Sequence, residues 1–158
     1  MGVNMCQLCY VKLIIMQWKT ITTTLGNSVY SLWSNGRKLL TLAYRNQSDR
    51  VYIESEDGEK RSFKCRNKGL LKNKLVLENE YGTDLGKLKR EGGREYIAID
   101  NKRYYLNFLT NKKVEIIPED TDKPLTVCSL DLENAEAKDG LLMVLCYYLL
   151  GHPQKLAV

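Results

Sequence analysis

Among the residues able to do chemistry, Cys6-x-x-Cys9 comes first, because two cysteines at that spacing suit a metal ion or a redox cycle. A zinc site needs four ligands, and Cys65, Cys128 and Cys146 fall on separate predicted strands or in a predicted helix. A thioredoxin-like pair would lie between a strand and a helix, whereas this one precedes the strand-like stretch from Tyr10 to Met16. The pair is read as chance proximity, and no metal or cofactor is expected. The single histidine, His152, stands between Gly151 and Pro153 with no acidic orienter and no Ser or Cys nucleophile placed beside it. It reads as a polar residue at a helix exit, and no catalytic residue is expected. No nucleophile elbow, phosphate-cradling loop or dinucleotide fingerprint occurs. Gly82, Gly86, Gly92 and Gly93 have the spacing of turn and bulge residues instead. Met1-Gly2 opens a myristoylation pattern that fails at Cys6, where Ser or Thr is required.

Charge is more informative. From Lys60 to Lys74 the chain carries Lys60, Arg61, Lys64, Arg66, Lys68, Lys72 and Lys74 without one acidic residue. Lys60, Lys64, Arg66, Lys68, Lys72 and Lys74 are the candidate ligands for an anionic partner. Lys87, Lys89, Arg90 and Arg94 form a weaker second cluster, while acids crowd the C-terminal third, from Glu115 to Asp139. Two readings stay open: a patch that holds phosphates or an anionic bilayer, and a solvated strand face whose lysines keep an edge from aggregating. Tyr44, Tyr52, Tyr81, Tyr96, Tyr104 and Tyr105 lie in or beside predicted strands and invite a third, stacking on single-stranded nucleic acid. No paired aromatic motif of RNA-binding sheets accompanies them, and core and rim packing explains most of them more simply.

The elements that must position these residues follow from the turns. Asn35-Gly36 and Asp57-Gly58 are the dipeptides of two-residue hairpins, whose central residues need positive φ. Further breaks at Tyr81-Gly82, Gly92-Gly93, Asp100-Asn101, Thr110-Asn111 and around Asp120 to Pro124 give the spacing of short antiparallel strands. Between them the chain alternates. Tyr104, Leu106 and Phe108 share one face, and Arg61, Phe63 and Cys65 share another, opposite Lys60, Ser62, Lys64 and Arg66.

One stretch departs from this pattern. Asn134 to Leu150 is rich in helix formers and is followed by Gly151 and Pro153, a helix stop. Its last ten residues, Leu141 to Leu150, are apolar on every side, so this helix has no solvent face and must be enclosed. At 1.5 Å per residue the run is about 15 Å long, roughly half a bilayer core, so no transmembrane segment is expected. The expected fold is mainly β: an antiparallel barrel or strongly curved sheet enclosing a hydrophobic C-terminal helix.

Length and composition agree. The chain has 158 residues, with 44% hydrophobic and 27% charged, which suits one globular domain over residues 1–158. Residues 1–16 read as an N-terminal extension or a first strand, and residues 134–150 as the buried helix. Five scattered cysteines and no secretory signal point to reduced thiols in a soluble cytoplasmic protein. The net charge of +5 favours anionic partners without naming one.

This pattern resembles the tubby C-terminal-like superfamily, in particular its LURP-one-related and phospholipid scramblase-like members. The likeness rests on Leu77-Glu-Asn-Glu-Tyr-Gly-Thr-Asp-Leu-Gly-Lys-Leu88, on Asp100-Asn-Lys-Arg-Tyr-Tyr-Leu106, and on Asp131-Leu-Glu-Asn-Ala-Glu136 running into Leu141 to Leu150. The resemblance covers Val29 to Leu150 and implies a twelve-stranded barrel threaded by its C-terminal helix. It also implies a non-enzymatic module meeting membrane lipid, phosphoinositide headgroups or other proteins, here peripherally at a membrane. A single-stranded nucleic-acid module and an enzyme without recognisable motifs are the rival readings.

Overall fold

The computed structural model describes residues 13–45, 47–68, 74–132 and 137–151, without the side chains at 68 and 149–151. Alternation along the chain becomes a run of strands: β1 (Ile14–Thr24), β2 (Asn27–Ser34), β3 (Arg37–Arg45), β4 (Arg50–Ser55), β5 (Lys60–Lys68) and β6 (Lys74–Glu78). Then come β7 (Asp84–Glu91), β8 (Arg94–Ile99), β9 (Lys102–Thr110), β10 (Lys113–Pro118), β11 (Thr126–Asp131) and the helix α1 (Lys138–Gly151). Each strand pairs antiparallel with the next, and β1 pairs with β11, so the sheet closes into a barrel with no free edge strand among the described residues.

The closure is parallel, with Ile14 opposite Thr126 and Lys19 opposite Asp131. This follows from the count. In an up-and-down meander with an odd number of strands, the first and last run the same way. The resemblance implies twelve strands, and the described residues form eleven. Two threonines staple the seam: Thr126 Oγ1 donates to the Ile14 carbonyl at 2.6 Å, and Thr20 Oγ1 to the Asp131 carbonyl at 2.9 Å.

The turns confirm most of the punctuation. Asn35 and Gly36 have φ of 52° and 75°, and Asp100 and Asn101 have 49° and 62°, as two-residue hairpins with twisted strands require. Asp57-Gly58 differs from its expectation. Residues 56–59 form a four-residue loop in which Gly58 alone has positive φ, 85°. The Asp57 carboxylate accepts hydrogen bonds from the Ser55 hydroxyl and the Glu59 N–H, which stabilises the wider loop.

Inward positions of the strands supply the core: Trp18, Tyr30, Leu32, Leu42, Phe63, Leu77, Ile97 and Ile116 are each at most 1% exposed. Through the middle runs α1. Leu141, Leu142, Met143, Val144, Leu145 and Cys146 are each at most 2% exposed. At about 100° per residue they sweep more than one full turn, so protein surrounds the helix on every side. Each such side chain contributes about 1.5–3 kcal/mol by leaving water. The expected helix start at Asn134 lies outside the described residues, as do residues 1–12; the part of the N-terminal stretch that is described, from Ile14, opens β1. Among the described residues no helix is long and apolar enough to cross a membrane.

Alternating strand direction gives the barrel two rims. The upper rim holds the β1–β2, β3–β4, β7–β8 and β9–β10 turns and the end of β11, through which α1 enters. Lys138 lies there, 4.0 Å from the Phe108 ring centroid, and Tyr147 lies deeper, against Phe63.

Candidate anion-binding surface

β5 displays the basic run. Phe63 and Cys65 point into the barrel, 1% and 5% exposed, so Lys60, Ser62, Lys64 and Arg66 point out. The register then brings in neighbours that the run does not contain. On β4, Arg50 lies opposite Lys64, Tyr52 opposite Ser62 and Glu54 opposite Lys60. On β6, Glu78 lies opposite Lys64 and Lys74 opposite Lys68.

Two acids neutralise part of the patch. Arg61 Nε donates to Glu80 Oε1 at 3.0 Å, and the Ser62 N–H donates to the same oxygen at 3.0 Å. Desolvation alone would raise the Glu80 carboxyl, but hydrogen bonds from Arg61 and Ser62 outweigh it and hold the carboxyl below its usual range. Arg66 Nε lies 3.7 Å from Glu78 Oε2. Lys64 faces Arg50 across the ladder, and like charges directly opposite repel unless an anion lies between them.

Two hollows open on this face. One, of about 350 Å³, is lined by Arg50, Ser62, Phe63, Lys64, Arg66, Glu78, Asn79, Glu80 and Gly82. The other, of about 480 Å³, is lined by Thr41, Ala43, Tyr52, Ile53, Glu54, Lys60, Arg61, Ser62 and Glu80. They meet at Ser62 and Glu80. Small residues at Thr41, Ala43 and Ser62 leave the space, and Tyr52, under Arg45 at 5.1 Å, forms a wall.

The structure therefore brings Lys60, Lys64 and Arg66 together. Lys74 sits higher, at the start of β6, and lines neither hollow. Lys72 lies outside the described residues, and Lys68 is placed on β5 by its backbone alone. Arg50 is the residue that sequence reasoning missed. It stands fourteen positions before Lys64, and only the β4–β5 register joins them.

Charge is also polarised along the barrel axis. Around the lower rim, strand ends and turns present Glu56, Asp57, Glu59, Glu78, Glu80, Asp84, Asp100, Glu119, Asp120 and Asp122 against Arg37, Lys60, Lys102 and Lys123. Around the upper rim, strand ends and turns present Arg45, Arg50, Lys74, Arg94, Lys112 and Lys113 against Asp49, Glu91 and Asp131. This grouping crosses the whole sequence and is a product of topology.

Other candidate chemistry is engaged elsewhere. Tyr96, 2% exposed, lies between Tyr105 at 5.8 Å and Arg103 at 4.9 Å, so its face is not open to a nucleobase. Tyr104 points inward and is buried. Burial pushes the Cys65 and Cys128 thiols up to about 12 and Cys146 higher still, the opposite of an activated nucleophile. Cys6, Cys9 and His152 lie outside the described residues. Among the described residues no three His, Cys, Asp or Glu side chains group to hold a metal ion. Compared with protein-family models, curated proteins and solved structures, the chain matches none.

Proposed function

We propose that this is a non-catalytic binding module of the tubby-like type, meeting anionic phospholipid or phosphoinositide headgroups through the outer face of β4 and β5. The observation that carries the reading is Arg50 set opposite Lys64 over a polar hollow that also takes in Arg66. Two facing cations lower each other's stability, and a phosphate between them removes that cost. The tubby-like part rests on architecture, a closed barrel around a hydrophobic C-terminal helix. Its place is the cytoplasm, peripheral at a membrane. The nucleic-acid reading is weaker, because Tyr96 and Tyr104 are buried and Tyr81, the most exposed tyrosine among the described residues at 90%, stands on the acidic lower rim.

Vesicle co-sedimentation tests it. Binding to vesicles of phosphatidylserine or phosphoinositide in phosphatidylcholine is expected, falling as salt rises. Each cation near an anionic surface contributes about 1 kcal/mol, so Arg50→Glu with Lys64→Glu should weaken binding by about thirtyfold or more. Parental binding by that folded double variant overturns the reading. Oligonucleotide competing better than vesicles would move it to nucleic acid.

A further inference from the structure

The β1–β2 hairpin ends in a feature that folding does not explain. β1 pairs with β11 only as far as Lys19, and Thr20 to Thr24 continue past the seam paired with β2 alone. At the tip stand Leu25 and Gly26, with Gly26 at φ 88°. Such turns favour Asn, Asp, Gly or Ser, which satisfy the backbone or meet water. Here Leu25 is fully exposed, 105%, and Ile21 on the same projecting strand is 55% exposed. No charged residue occurs from Thr20 to Ser28. Scattered exposed leucines are ordinary, but this one stands at a hairpin tip on the rim where the cations gather. Asn27, paired with Thr24 beside the tip, lies opposite Arg45, and Arg45 lies opposite Arg50.

We infer that the upper rim is the membrane-facing end, and that the β1–β2 tip inserts Leu25 and Ile21 among the acyl chains while Arg45 and Arg50 hold headgroups beside it. This rests on the anionic-lipid reading above and adds an orientation and an apolar anchor to it. An anionic bilayer is the surface that offers both an apolar interior for the tip and negative charge at the level of the arginines. The acidic lower rim then points away from the membrane, and the barrel leans on its β4–β5 side, so that Lys64 and Arg66 also reach the headgroups.

Leu25→Trp, with vesicles containing brominated acyl chains, reads the insertion directly. Quenching of the added tryptophan beyond that of the parent, with a blue shift, is expected. Leu25→Asp should weaken vesicle binding at least tenfold at an unchanged unfolding midpoint, because the side chain makes no core contact. If the parent binds anionic vesicles but Leu25→Trp is unquenched, or Leu25→Asp binds like the parent, the inserted tip is wrong while the headgroup reading survives. If the parent does not bind such vesicles, both fall. If Leu25→Asp turns a dimer into a monomer on size-exclusion chromatography without weakening vesicle binding, the tip is a self-association surface and the inference fails.

Discussion

Tyr147 of α1 meets Phe63 of β5 edge to face, with ring centroids 5.3 Å apart and ring planes at 63°. Above Phe63 on the same strand, Cys65 lies close to Gly140, where an added Cβ would come within 3.4 Å of its sulfur. One strand thus measures the depth of the helix twice, near its first turn and near its last. Below, Arg61 places its guanidinium 5.3 Å from the Phe63 ring and bonds Glu80. Along β5, Phe63 and Cys65 thus face the helix, Lys60, Ser62, Lys64 and Arg66 turn outward, and Arg61 ties the two sides together at the lower end through Glu80.

The aromatic contact is open to a double-mutant cycle. Phe63→Leu and Tyr147→Leu, made singly and together and followed by urea denaturation, should show a coupling of about 0.5–1.5 kcal/mol. Additive losses would mean that the rings merely fill space.

Truncation along the helix tests its enclosure. Leu141→Ala, Leu142→Ala and Met143→Ala, set at successive steps of about 100° around the helix, should each cost about 2–5 kcal/mol, with no tolerant side. These residues are 2%, 0% and 0% exposed and point in different directions. Leu142→Asp should prevent folding, since a buried unpaired charge has no partner there. A periodic scan, tolerant at one position and sensitive at the next, would mean a helix lying on the sheet surface.

The helix was legible because its apolar residues obey no amphipathic period, which leaves enclosure as the one outcome for a chain otherwise made of strands. The turn at Asn35-Gly36 was legible from local chemistry alone. Asp57-Gly58 misled because the same dipeptide also suits a longer turn ending in a left-handed glycine, closed here by the Gly58 N–H to the Ser55 carbonyl and the Ser55 N–H to the Glu59 carbonyl. The parallel closure was hidden, since it depends on the parity of the strand count, and the Leu25-Gly26 turn carries no strong dipeptide signal. For the candidate site, alternation in β5 correctly sent Lys60, Lys64 and Arg66 outward. Arg50, Glu78 and Glu80 enter only through register, and they turn a uniform basic run into a hollow with two facing cations and neutralised flanks.

Acid should loosen the lower rim through Glu80. Its carboxyl is held below the usual range, so the unfolded chain binds a proton first as pH falls. The stability it contributes is present above the unfolded carboxylate pKa, near 4.5, and is lost as pH falls through the lower folded value. The parent's unfolding midpoint should therefore drop from pH 5 downward. Glu80→Gln should lower the midpoint at pH 7 and flatten that acid slope; an identical slope in both proteins would show that the Arg61–Glu80 contact does not form in solution.

Alkali acts on the core with the opposite sign. Burial pushes the Cys65 and Cys128 thiols up from 9.0 to about 12, and Cys146 further. The folded protein thus keeps protons that the unfolded chain releases. Stability from each thiol is fully present below about pH 9 and is lost as pH rises towards and through the folded values. In that window one thiol contributes a slope of about 1.4 kcal/mol per pH unit. Lysines and tyrosines titrate there too, so the informative quantity is the difference between proteins. Cys128→Ala should be less stable than the parent at pH 7 through its cavity, and the gap should narrow steadily between pH 9 and 11 as measured by urea denaturation. The same burial predicts that the native Cys128 and Cys146 peptides stay unmodified by iodoacetamide at pH 8, until urea unfolds the barrel. A gap that stays constant with pH, or rapid native alkylation at either cysteine, would mean that water reaches the space between β11 and α1 and that the helix is not enclosed on that side.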